Sequence, residues 1–237
     1  MTDGDEIGVH ILAFYESLAA DPNHRYRSWE HCFGHFRKRL AHWTVEERET
    51  AALHLAFYLA SWGMYRGSSA LLWKDYKIHL PAISKLLDPR FETLWDLNFT
   101  DAKQDNATAV LIVTLSDELR QVYQTQMVTV NGNFEEREPS EILITKVLLG
   151  TVGCTPACDR FFVQGFRQKL RYSEFGEAFL CRAFQFYRSH EAAFLQIQKA
   201  IIQRGGVYYP AMKLVDMYFW KLGFNRINLL PKSANAG

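Results

Sequence analysis

Apolar side chains recur at three- and four-residue spacing along almost the whole chain, and this rhythm limits the possible folds more than any single motif does. Ile7, Ile11, Phe14, Tyr15 and Leu18 mark one face of a first helix, closed at Asp21-Pro22. Phe33, Phe36, Leu40 and Trp43 mark a second. Thr44 and Glu47 have capping-box spacing and open a third helix, whose core face is expected at Leu53, Phe57 and Ala60 with Ala56 and Leu59 beside it. In 62–68, two glycines bracket Met64, Tyr65 and Arg66, which predicts a tight, ordered loop after Trp62. A further helix is expected through Leu71, Leu72 and Tyr76, ending at Pro81.

Asp88-Pro89 breaks the pattern, and 107–126 reads as helix. Asn131-Gly132 is a turn signal within 127–134, a segment expected to be loop rather than hairpin. Ser140 is a plausible N-cap for a buried helix over 142–149, and a turn follows at 150–156. The next helix carries Phe162, Phe166 and Leu170. Another spans 190–204, stopped by Gly205-Gly206, and the last runs from Tyr209-Pro210 to Leu222 with Gly223 as its stop. The expectation is an all-α fold of about eight to eleven helices at ordinary helix length, in one domain covering residues 1–237.

With 237 residues, 48% hydrophobic and 22% charged, the chain can bury a substantial core. Aromatics reach 14%, and core packing accounts for most of them. A net charge of +1 excludes a broad electrostatic attraction to nucleic acid, but the charge is uneven. From Asp159 onward there are 12 Lys/Arg against 5 Asp/Glu, whereas 101–141 holds 3 against 8. Cys32, Cys154, Cys158 and Cys181 form no CxxC pair, so reduced thiols and a cytoplasmic location are expected. The acidic start does not suit a secretory signal, and no apolar run suits a membrane span.

The stretch 145–160, TKVLLGTVGCTPACDR, carries the candidate chemistry. Lys146 interrupts an otherwise apolar helix, and burial would favour its neutral, nucleophilic form. Asp159 follows thirteen positions later at the start of the next helix, so a short turn can bring both side chains to one cleft. Pro156 and the Gly150/Gly153 turn are candidates for letting backbone N–H groups meet a phosphate, as helix N-termini do. A plainer account makes Asp159 an N-cap and Lys146 its structural partner, within a non-catalytic helical DNA-binding or interaction module. A metal-dependent hydrolase built on His31, His35, His54 and His79 lacks the carboxylate that an HExxH arrangement requires, so neither metal nor cofactor is expected.

The apolar helix with its lysine, the Gly/Pro turn and the aspartate opening the next helix resemble the helix-hairpin-helix DNA glycosylase superfamily. The resemblance implies two helical halves flanking a cleft, with Lys146 attacking the sugar and Asp159 assisting base loss. Asp216 and Trp220, four apart on the last helix, and Trp62 after an N-terminal helix are similar to the base-pocket residues of the archaeal 8-oxoguanine glycosylase branch. Tyr65 and Arg66 join them as candidate base and phosphate or sugar contacts, with Trp73 in reserve. The similarity is greatest to bacterial anti-phage glycosylases. It implies a monomer that flips and excises glucosylated hydroxymethylcytosine from double-stranded phage DNA, with 8-oxoguanine as the alternative base. Pro139-Ser140-Glu141 stands where the family has a glycine-rich hairpin.

Overall fold

Polar caps begin several helices at the positions the sequence marks. In the computed structural model, residues 3–38, 43–67, 69–127, 129–130, 133–134, 138–172 and 174–229 are described. They form ten α-helices: α1 (Asp3–Ala19), α2 (Ser28–Phe36), α3 (Val45–Ser61), α4 (Leu80–Leu86), α5 (Asp105–Gln126), α6 (Glu141–Thr151), α7 (Arg160–Lys169), α8 (Glu177–Ser189), α9 (Glu191–Gln203) and α10 (Ala211–Leu229). The fold is therefore all-helical apart from a two-residue antiparallel ladder, in which Thr129 pairs with Phe134 and Val130 with Asn133. That ladder corrects the loop expected there. Leu40, Ser68, Asn131 and Gly132 lie outside the described residues. The Thr44 hydroxyl accepts from the Glu47 N–H at 3.2 Å while the Glu47 carboxylate accepts from the Thr44 N–H at 2.7 Å, completing the capping box of α3.

α10 packs on α7, α1 and α8, while α2, α3 and α6 pack on one another and α5 bridges α4, α6 and α8. One continuous apolar cluster runs through all of these helices.

Three expectations are reversed by packing. The buried face of α3 is Ala51, Ala52, Leu55, Tyr58 and Leu59, whereas Leu53 and Ala60 are exposed and Phe57 is 62% exposed. Both faces of α3 are apolar, so periodicity alone cannot choose between them. The observed face is the one whose small alanines permit close approach of neighbouring helices. Pro81 does not end a helix. The 70–79 region makes two short 3-10 turns, Ala70–Trp73 and Tyr76–His79, and Pro81 sits in the first turn of α4, where its missing N–H has no cost. Trp73, held in reserve as a base contact, stands at the surface at 51% exposed.

Gly223 does not stop the last helix either; it lies within α10. A β-carbon there would overlap the carbonyl oxygen of Phe161, and one at Gly165 would overlap that of Phe219. These two glycines let α7 and α10 touch backbone to backbone. Gly223→Ala is expected to cost about 2–3 kcal/mol from overpacking, more than the ~1 kcal/mol that alanine gains in helix propensity. The net loss is about 1–2 kcal/mol, so thermal melts should show a Tm lowered by roughly 2–8 °C, and an unchanged Tm would refute the tight crossing.

Candidate active site

α6 and α7 are joined by a turn whose backbone is fully enclosed: residues 151–158 are all buried. α6 starts on the Ser140 hydroxyl, which accepts from the Leu143 N–H at 3.2 Å, and the Glu141 carboxylate ties it to Tyr172 through a 2.6 Å hydrogen bond. Two polar side chains hold the turn itself. Thr145 Oγ1 on α6 accepts from the Cys158 N–H at 3.0 Å, and Asp216 Oδ1 on α10 accepts from the Ala157 N–H at 3.1 Å. The suggested phosphate site on this turn is thereby excluded, because its N–H groups are buried and two of them already have internal acceptors. Gly150 lies inside α6 against the ring of Tyr58, and Gly153 takes the left-handed conformation at φ 75°.

The turn delivers Asp159 as the N-cap of α7. Its Oδ1 accepts from the N–H groups of Phe161 (3.0 Å) and Phe162 (3.1 Å). Its Oδ2 receives the Lys146 ammonium at 3.2 Å. The capping and ion-pair roles are thus divided between two oxygens of one carboxylate, and the cap fixes the direction in which the other oxygen points. Lys146 is only 3% exposed and Asp159 15%. Lys146 Nζ also lies 4.7 Å from the centre of the Trp62 ring, a cation–π contact.

Both side chains line a cavity of about 980 Å³. Its aromatic wall consists of Tyr26, Trp62, Phe161, Trp220 and Phe224. Tyr26 and Trp62 stack at 4.2 Å, Trp220 and Phe224 stack at 5.0 Å, and Trp62 stands nearly perpendicular to Trp220 at 6.1 Å. The two tryptophans named from the sequence therefore come together, each already stacked on a second ring. Tyr26, Phe161 and Phe224 were not singled out as site residues, and no spacing rule links them to Lys146. Arg66 also lines the cavity.

Asp216 and Tyr65 do not line this cavity. Asp216 lies behind it, paired with Lys213 at 2.9 Å, and both side chains are almost wholly buried. Burial pushes the Asp216 carboxyl above its ordinary range, and the Lys213 ammonium pulls it partly back. Lys213 Nζ is also 5.2 Å from the Trp62 ring, so Asp216 supports the site through the turn and through Lys213. Lys213 itself went unnoticed in the sequence; its visible signal was a Lys/Asp pair three apart in an otherwise apolar helix.

Tyr65 belongs to another buried network. Its hydroxyl is 2.7 Å from His79 Nε2, and His79 Nδ1 is 2.7 Å from the Tyr123 hydroxyl. Burial pushes His79 down to about 3. An unfolded histidine titrates near 6.5, so this group's stabilising contribution is complete above that pH and is lost as pH falls toward 3, at up to roughly 1.4 kcal/mol per pH unit. Denaturant melts across this window should be flatter for His79→Gln than for the wild-type chain; identical slopes would refute a neutral native His79. His35 stacks on His54 at 4.4 Å, and among the described residues no three His, Cys, Asp or Glu side chains gather to hold a metal. Among the described residues no helix is long and apolar enough to cross a membrane.

No family model, curated protein or solved structure matches this chain.

Proposed function

We propose that the chain is a DNA N-glycosylase of the helix-hairpin-helix type, excising a bulky modified base, most specifically glucosylated hydroxymethylcytosine in phage DNA. One observation carries this reading: a nearly buried lysine touches a cap-locked aspartate, and both face a large cavity walled by aromatic rings. Breaking a glycosidic bond builds positive charge on the sugar, and Asp159 supplies a fixed carboxylate to stabilise it. Its Oδ2 holds the Lys146 ammonium at 3.2 Å, and the ammonium proton passes to the departing base, so the carboxylate stays charged. The freed amine then attacks the sugar carbon as the base departs with the bonding electrons. Extruding the base costs a few kcal/mol, which the aromatic wall offsets.

The cavity, about 980 Å³, sits at the upper end of the ~300–1,000 Å³ usual for ligand clefts. That volume favours a base carrying a sugar substituent over unsubstituted 8-oxoguanine. The test is abasic-site formation by the purified protein on phage DNA with glucosylated cytosines, on unmodified DNA and on an 8-oxoguanine duplex. Abasic sites on the glucosylated DNA alone support the full proposal, and abasic sites on the 8-oxoguanine duplex alone overturn the substrate. No abasic sites on any of the three would favour a structural Lys146–Asp159 pair in a binding module. Borohydride reduction during turnover asks whether Lys146 forms a Schiff base: a covalent protein–DNA adduct means it does.

A further inference from the structure

Five arginines away from the cavity engage carboxylates: Arg27 pairs with Glu30, Arg37 with Asp96, Arg90 with Asp88 and Glu118, Arg188 with Asp105, and Arg204 with Glu16, whereas Arg120 and Arg182 donate to backbone carbonyls and Arg48 to a carbonyl and the Ser84 hydroxyl. Three further arginines gather at the cavity. Arg25, Arg66 and Arg160 line it, all three are exposed, and none pairs with a carboxylate among the described residues. They come from three separate segments: the 3-10 turn Arg25–Arg27, the loop after α3, and the first residue of α7. Each is held against its surroundings. The Arg25 guanidinium lies 4.6 Å from the Tyr26 ring and donates to the Tyr26 hydroxyl at 2.7 Å. Arg160 lies 4.8 Å from the Phe161 ring. Arg66 lies against the bare α-carbon of Gly63, where an added β-carbon would come within 2.8 Å of its Nε.

Lys146 and Asp159 neutralise each other on the cavity wall, which among the described lining residues leaves these three cations against Glu138 alone. Stacking on flat rings holds a guanidinium in place while its N–H edge stays open to an anion. We propose that Arg25, Arg66 and Arg160 form a phosphate-binding rim that seats the sugar–phosphate backbone of a DNA duplex around the cavity mouth. This rests on the glycosylase reading and names its backbone contacts. Because the arginines are spread over three segments, they suit successive phosphates along a strand better than one isolated anion.

The experiment is the salt dependence of binding to an unmodified duplex, for wild type and for Arg25→Gln, Arg66→Gln, Arg160→Gln and the triple variant. Each lost phosphate contact should flatten the slope of log K against log salt by about 0.9, or roughly 2.7 for the triple variant, equally for any base sequence. Circular dichroism confirms that the variants are folded. An unchanged slope in a folded triple variant overturns the proposal, even if affinity falls. Displacement of the duplex by millimolar inorganic phosphate overturns the duplex rim in favour of a single-anion site. The two readings fail separately. Unchanged slopes with abasic sites still formed refute only the rim, whereas flattened slopes with no abasic sites on any DNA refute only the glycosylase.

Discussion

Lys146→Ala is expected to lower abasic-site formation on the order of 10³-fold while leaving the protein folded. Truncation removes the one nucleophile in contact with Asp159 and leaves a carboxylate that is not stranded, since its other oxygen still caps α7 and 15% of its side chain remains exposed. Asp159→Asn is the sharper companion. Asparagine caps helices about as well as aspartate and keeps an oxygen for the Lys146 ammonium, so the loss of stability should be smaller than for Asp159→Ala, while loss of the fixed negative charge should reduce turnover by roughly 10²–10³-fold. Asp159→Ala removes the cap and also leaves the Lys146 ammonium, 3% exposed, without its carboxylate, and should cost about 3–5 kcal/mol of stability as well. Single-turnover abasic-site assays with melting curves on the same samples separate these effects. Full activity in Asp159→Asn would mean that the residue serves α7 and not the chemistry.

The second large effect is expected at the pair behind the cavity. Asp216→Ala leaves the Lys213 ammonium enclosed without its carboxylate, a change that costs about 3–5 kcal/mol. It also removes the acceptor for the Ala157 N–H, two residues before Asp159. Replacing both partners by apolar residues, Lys213→Met with Asp216→Leu, should restore most of the stability, since it removes both buried charges. It should not restore abasic-site formation, because the turn still lacks its anchor and Asp159 loses its alignment. Recovery of stability and activity together would refute the positioning role of Asp216. Failure to recover stability would show that the pair contributes more than its desolvation cost.

Much of the architecture was legible from the residues because helix signals are local. Thr44, Ser140 and Gly205 act within a turn of their own position, so the boundaries they mark agree with the structure. The all-helical class follows from the same short-range logic, and so does the approach of Lys146 to Asp159, since a short turn between consecutive helices leaves little freedom. The failures share a different cause. Which stripe of α3 is buried and whether Gly223 ends a helix or admits another both depend on a partner distant in sequence.

The candidate site divides in the same way. The sequence by itself determined the lysine in an apolar helix, the aspartate at the next helix start and the two tryptophans, because residue type and helical spacing are properties of a single segment. Only the tertiary structure decided that Asp216 and Tyr65 stand off the cavity wall, that Tyr26, Phe161 and Phe224 complete it, and that Lys213 lies behind it. The physical reason is that a cavity is defined by the surfaces of several elements at once. The backbone contact of α7 with α10 at Gly165 and Gly223 sets how those surfaces meet, and no local pattern encodes that distance.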